Sequence, residues 1–223
     1  MSIFYADDSL IPSQANFSLN GGWIWSYAPV STGRVADATA DKEIQQRIIS
    51  EYKQRIKFKT VKSGALGSAD LFNICKDAVK DLPCSRSGKW LLRYKPHEID
   101  DIWFEIKALC ERGDLGPAVK TGPIGDMFLI CVYTSDFTDE NDVLRVLTEL
   151  IVLLLQQNKL CDTLSYKADC VTCAFSNEYG TSQIKNGTFY HGAWENDSVV
   201  FSHAKHMLDN SGRGAKVSVV ENV

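Results

Sequence analysis

The chain of 223 residues lacks a basic excess: 24 Lys and Arg stand against 28 Asp and Glu, for a formal net charge of -4. Nonspecific nucleic-acid binding, which depends on phosphate neutralisation, is therefore not expected, although a local basic pocket is compatible with that balance. A long apolar run is also missing. The most apolar stretch, Leu144 to Leu155, is interrupted by Arg145, Thr148 and Glu149 and is too short to span a bilayer. It predicts a buried helix and no membrane partner. The N-terminal Met1-Ser2-Ile3-Phe4 has neither a basic segment nor an apolar segment of the kind that directs secretion, so a cytoplasmic location is expected.

The usual chemical constellations are absent too. No phosphate-loop pattern, no G-x-G-x-x-G, no H-E-x-x-H and no G-x-S-x-G occurs. The seven cysteines are odd in number and irregular in spacing, and most lie in apolar runs such as Leu129-Ile130-Cys131-Val132. They read as reduced, buried thiols rather than as a disulfide framework. Cys170-x-x-Cys173 is half of a zinc pattern without a second pair, and reads as two small apolar side chains in a strand. His203 and His206 stand three apart, the spacing of one face of a solvated C-terminal helix. No metal or other cofactor is implied.

What is present is a series of segments with clear periodicity and no linker or low-complexity tract between them, which suggests one domain over 1–223. Residues 1–36 form an irregular arm with a short strand near Trp23–Tyr27. Ile44, Ile48, Ile49, Tyr52 and Ile56 predict a helix over 41–55. Lys57-Phe58-Lys59-Thr60-Val61 alternates basic and apolar residues and predicts a half-buried strand. Helices follow over 68–80, 97–112 and 139–157. Strands are expected at Trp90–Tyr94, Phe128–Thr134, Leu164–Tyr166 and Cys170–Phe175, and a hairpin around Thr188-Phe189-Tyr190. From Ser211 onward the sequence is a small, polar, flexible tail. The alternating strands favour an α+β fold, with one curved, largely antiparallel sheet and helices on one face.

Basic residues interrupt the apolar strands in a way that suggests chemistry. Lys57 and Lys59 share one strand face, as do Arg93 and Lys95. Lys120 sits in a Gly/Pro-rich loop just before an apolar strand, and Lys167 follows Leu164-Ser165-Tyr166. On neighbouring strands these cations would converge and repel unless an anion offset them, and phosphate is the natural candidate. The plain alternative is a solvated lysine face. Trp90 and Trp103 belong to the core, whereas Trp23 and Trp25 share a strand face and are candidates for stacking on a ligand ring.

Several motifs together resemble the BLES03 family: Gly88-Lys89-Trp90-Leu91, Glu98-x-x-Asp101-x-Trp103, Gly113-Asp114-Leu115-Gly116-Pro117-Ala118-Val119-Lys120, Cys131-Val132-Tyr133-Thr134, Asp142-Val143-x-Arg145-Val146 and Leu164-Ser165-Tyr166-Lys167-Ala168-Asp169. The match covers about residues 86–180. The resemblance implies a fold similar to that of the cap-binding translation initiation factor, a curved antiparallel sheet backed by helices, and implies no activity.

The order of basic positions is also similar to that of the bacterial effector phosphothreonine lyases. Lys57-Phe58-Lys59 stands where those enzymes have a Lys-Phe-His strand motif. Arg93-Tyr94-Lys95 stands at their Lys-x-Lys, and Lys120 and Lys167 replace two arginines. This resemblance implies Lys95 as the general base and Lys59 in place of the acid histidine. Lys57, Arg93, Lys120 and Lys167 would hold the phosphate. The lysines departing from His and Arg would give a weaker phosphate clamp and a poorer acid. The sequence thus leaves two functions open. One is a phosphate-binding cleft for a phosphorylated peptide, protein or nucleotide, with or without β-elimination. The other is a non-catalytic module for a nucleotide, an RNA cap-like group or a protein.

Overall fold

The computed structural model describes residues 10–17, 22–29, 38–58, 67–82, 86–160, 163–176, 187–203 and 217–221. The helices are α1 (Ala38–Phe58), α2 (Ser68–Val79), α3 (Ile99–Arg112), α4 (Glu140–Gln156) and α5 (Asp169–Ser176). The strands are β1 (Ile24–Tyr27), β2 (Gly88–Tyr94), β3 (Ala118–Ile124), β4 (Met127–Thr134), β5 (Leu164–Ala168), β6 (Tyr190–Glu195), β7 (Ser198–His203) and β8 (Val217–Glu221). These eight strands form one curved sheet in the order β1-β3-β4-β2-β5-β6-β7-β8, every pairing antiparallel. The expected α+β class and the antiparallel sheet are therefore observed. Among the described residues, no helix is long and apolar enough to cross a membrane.

Because side chains alternate along a strand, the sheet has two chemically distinct faces. One face packs against helices. Trp90, Leu92 and Tyr94 of β2, Ile130 and Val132 of β4, and Leu164 and Tyr166 of β5 are all buried there. They meet the apolar stripes of α3 (Ile99, Ile102, Trp103, Ile106) and α4 (Val143, Val146, Leu147, Leu150). Those stripes recur at helical spacing, which is why the two helices were legible in the sequence. Some polar groups of this core have partners, whereas Trp103 Nε1 and Thr121 Oγ1 are buried without a hydrogen bond. Trp90 Nε1 donates to the Val143 carbonyl at 3.1 Å, and Tyr190 Oη donates to that of Phe137 at 3.0 Å.

Five sequence expectations are corrected by the structure. Lys57 and Phe58 end helix α1 instead of starting a strand. A short alternation could not outweigh a helix already propagated through Ile44 and Ile48 and reinforced by the Glu51–Arg55 pair one turn apart, at 2.8 Å. The rest of the expected strand, Lys59 to Val61, lies outside the described residues. Cys170–Phe175 is not a strand but most of α5. Its buried residues Cys170, Val171, Ala174 and Phe175 follow the helical pattern i, i+1, i+4, i+5, and Asp169 favours a helix start. Lys120 is not in a loop but in the middle of β3. Gly116-Pro117 ends the connection, and Arg145 holds that connection by donating to the carbonyls of Asp114 and Leu115 at 2.8 and 3.2 Å. His203 lies in strand β7, with Val199 and Phe201 buried at period two, and its Nε2 is 3.4 Å from Glu140 Oε1. His206 lies outside the described residues, and the expected tail contributes β8.

Candidate functional site

The second face of the sheet carries a different chemistry, built by the strand register. Trp25 of β1 lies opposite Lys120 of β3, which lies opposite Cys131 of β4, opposite Leu91 of β2, opposite Ser165 of β5. In the adjacent row Tyr133 of β4 pairs with Lys89 of β2, and Lys89 pairs with Lys167 of β5. Arg93 stands in register with Leu129, one row on the other side. Tryptophans, tyrosines and lysines from five strands thus project from one surface, here termed the aromatic face. Its apolar floor is Ala118, Leu129, Cys131 and Tyr133, with Trp23, Trp25, Tyr27 and Leu91 packed against it.

The edge strand β1 is anchored from behind. Ser26, on the opposite side of β1 from Trp25 and Tyr27, is buried and donates to Glu111 Oε1 of α3 at 2.8 Å. Lys107 Nζ, one turn earlier on α3, pairs with the same carboxylate at 2.8 Å. Trp25 stacks on Tyr27 with ring centroids 5.9 Å apart, and on Tyr133 at 5.5 Å. Trp23 reaches over β3 because Gly122 has no side chain. A Cβ at Gly122 would collide with the Gly22 carbonyl and sit 3.0 Å from the Trp23 ring.

Lys120 rises among these rings, with Nζ 4.2 Å from the Trp23 centroid, 4.7 Å from Trp25 and 5.5 Å from Tyr133. Lys89 approaches the same tyrosine, with Nζ 5.4 Å from its centroid. Lys89 is 7% exposed and makes an ion pair with Asp169 at the start of α5. The carboxylate also accepts from Ser87 Oγ at 2.6 Å. Burial pushes the Lys89 ammonium down, but the Asp169 charge and hydrogen bond outweigh it and hold the group above the ordinary lysine value. Lys120 and Lys167 shift the other way. Burial lowers both, and the Lys89 charge lowers both further. For Lys120, the charges of Cys131 and Asp169 offset only part of this. Burial raises the Cys131 thiol, and Lys120, Lys89 and Arg93 are among the charges it feels. Three lysines therefore share a semi-buried surface on which the ion pair with Asp169 belongs to Lys89.

The structure brings Trp23, Trp25, Lys120 and Lys167 onto one surface, with Arg93 exposed one row away. It does not bring the other sequence candidates there. Lys57 is on α1, and Lys59 lies outside the described residues. Lys95 is exposed beyond the end of β2, where its backbone N–H donates to Glu98 Oε2 at 3.1 Å. From Leu91, in the row of Lys120, to Lys95 is a rise of about 13 Å along an extended chain. Sequence reasoning missed Lys89, Tyr27, Tyr133 and Asp169. The signal for Lys89 was present: it precedes Leu91 and Arg93 at period two, so it shares their face. Asp169 could be added only with the register of β2 and β5 in hand.

The model of a family described as "Basophilic leukemia-expressed protein Bles03" matches residues 8–173. No curated protein matches the chain. Among solved structures, the chain is similar to a schistosome eIF4E complexed with m7GpppA and 4E-BP, at 18% identity and a TM-score of 0.36, over 44% of this chain and 56% of that one. It is similar to Ascaris suum eIF4E-3 with an m2,2,7G cap at 17% identity and a TM-score of 0.31, over 37% of this chain and 51% of that one. It is similar to C. elegans eIF4E-3 with the 4E-binding protein Mextli and a cap analog at 20% identity and a TM-score of 0.32, over 38% and 51%. The chain thus spans little more than half the length of these structures.

Proposed function

The chain belongs to the Bles03 family, and we propose that its aromatic face binds a phosphate-bearing ligand, with the phosphate held by Lys120 and Lys167 beside the Lys89–Asp169 pair. One observation carries this reading: strand register sets half-buried Lys120 and Lys167 on the face of Lys89, whose ammonium takes the Asp169 carboxylate, and burial together with the Lys89 charge disfavours both as cations. A surface that costs energy to keep charged is stabilised by an incoming anion, and a phosphate can accept from several ammonium groups at once. The rings of Trp25 and Tyr27 add a flat, half-buried platform beside the cations, which suits a ligand carrying a planar group such as a nucleotide.

The proposal is for binding, without an elimination step. Elimination needs a base next to the phosphate. Lys95, the residue the lyase resemblance suggests for that role, stands exposed beyond β2, and Lys57 belongs to α1.

Isothermal titration of the full chain with inorganic tripolyphosphate, GTP and a phosphothreonine peptide tests the reading. Charge-assisted hydrogen bonds are worth about 1.5–3 kcal/mol each, so Lys120→Ala and Lys167→Ala should each weaken the binding of at least one of these probes on the order of tenfold or more. Raising the salt concentration should weaken wild-type binding as well. The absence of binding by all three probes, or equal binding by wild type and both variants, would overturn the proposal.

A further inference from the structure

We infer that Lys120 is a specificity-determining residue: its ammonium fills a cage made by Trp23, Trp25 and Tyr133 and so closes the aromatic face to cationic rings and alkylammonium groups. What remains admissible is a phosphate-bearing ligand whose planar group is uncharged. That second half rests on the phosphate-binding reading above, whereas the exclusion of cations rests on the cage alone.

Several aromatic rings turned toward one point make a receptor for cations, because each ring face presents the negative part of its quadrupole. The rings of Trp23, Trp25 and Tyr133 are so arranged, but the chain supplies the cation itself, at 4.2, 4.7 and 5.5 Å from the three centroids. Strand register holds it there. The Lys120 Cα pairs with Trp25 on one side and Cys131 on the other, so the side chain leaves the sheet between its ring partners. Gly122, two residues on and on the same face, provides the space in which Trp23 lies over β3. A second cation entering the cage would meet the Lys120 charge directly and the Lys89 charge on the same Tyr133 ring. Asp169, the nearby carboxylate, is engaged by Lys89 and Ser87, so its charge offsets only part of this repulsion. An anion is instead attracted by the Lys120 and Lys89 charges.

The test uses the full chain and tryptophan fluorescence. GTP and 7-methyl-GTP differ by one methyl group that makes the purine ring cationic, and tetramethylammonium probes the cage without phosphate. Wild type should favour GTP over 7-methyl-GTP by about tenfold or more, as expected for like charges a few ångströms apart near a protein surface, and should not respond to tetramethylammonium. Lys120→Met, with Lys120→Gln as a second neutral variant should the first misfold, should reverse the nucleotide preference and take up tetramethylammonium. Lys120→Arg should keep the wild-type order. A wild type that binds 7-methyl-GTP as tightly as GTP, or neutral variants that exclude tetramethylammonium as wild type does, would overturn the inference. Should wild type bind neither nucleotide, nor tripolyphosphate, nor the phosphothreonine peptide, the phosphate-binding reading fails by itself. The tetramethylammonium response of the neutral variants then decides on the cage: uptake by them alone supports it, and an equal response in wild type contradicts it.

Discussion

The two faces of the sheet are made by the same strands and differ in almost every other respect. On β2, Trp90, Leu92 and Tyr94 enter the helix-packed core, while Lys89, Leu91 and Arg93 face the other way. The core face buries apolar side chains, and Trp90 and Tyr190 donate to backbone carbonyls within it. The aromatic face holds Lys89 and Lys120 beside tryptophan and tyrosine rings and Lys167 in register with Lys89, with one carboxylate committed to Lys89. The first arrangement lowers the free energy of the fold. In the second, burial and the Lys89 charge disfavour the charged forms of Lys120 and Lys167.

The largest expected effect probes the core side of that contrast. Trp90 is fully buried, its Nε1 is hydrogen-bonded, and its ring meets those of Tyr166 and Phe201 at 5.2 and 6.4 Å. Trp90→Ala should cost about 3–5 kcal/mol in denaturant-induced unfolding. Trp25→Ala, on the half-buried aromatic face, should cost about 1–2 kcal/mol, the worth of its ring contacts. Equal losses at the two positions would show that the aromatic face is ordinary core.

The next effect concerns the Lys89–Asp169 pair. Asp169→Asn leaves Lys89 buried without its counter-charge and should cost close to the lower end of about 3–5 kcal/mol, because the Asp169 side chain is itself 23% exposed. Adding Lys89→Met to that variant should restore most of the loss, since the uncompensated charge is then gone. The pH dependence has a definite sign. Lys89 is raised above 10.5, so its contribution is fully present below that value and is lost as pH rises through its folded pKa.

A smaller effect, with the opposite sign, is expected at Lys167. Its folded pKa is lowered from 10.5, so the folded state holds this proton less tightly than the unfolded state does. The cost of the charge is present at neutral pH and is relieved as pH rises from the folded value toward 10.5. Lys167→Met should therefore stabilise the protein at pH 7 by about 0.5–2 kcal/mol, and the gain should shrink in alkaline thermal melts. A destabilised variant, or a gain independent of pH, would remove the distinction between the two faces at this position.

The sequence made much of the core face legible and only part of the aromatic face. Helices α2, α3 and α4 and strands β2 and β5 followed from their periodicity, because one buried side makes the period visible, and β4 followed from its continuous apolar run, buried on both sides. Segment α5 was misread because Cys170, Val171, Ala174 and Phe175 form an almost continuous apolar run, in which the helical and strand patterns overlap. Strand β3 was misread because Gly116, Pro117, Gly122 and Pro123 suggest a turn, although Pro123 lies next to the β3–β4 connection where a ladder tolerates it. Trp23, Trp25, Lys120 and Lys167 were recognisable as candidates by residue type. Their grouping with Lys89, Asp169 and Tyr133 depends on cross-strand register between segments up to about a hundred residues apart, which local periodicity does not encode.

The central claim is that phosphate binds on the aromatic face, and locating a bound phosphate tests it most directly. A crystal structure of the full chain soaked with GTP or tripolyphosphate should place phosphate oxygens within hydrogen-bonding distance, about 2.7–3.2 Å, of Nζ of Lys120 and Lys167, with the Lys89–Asp169 pair intact beside them. Phosphate density only elsewhere, for example in the cleft of about 190 Å³ between α1 and α2 lined by Arg47 and Arg55, with the aromatic face empty, would contradict the account.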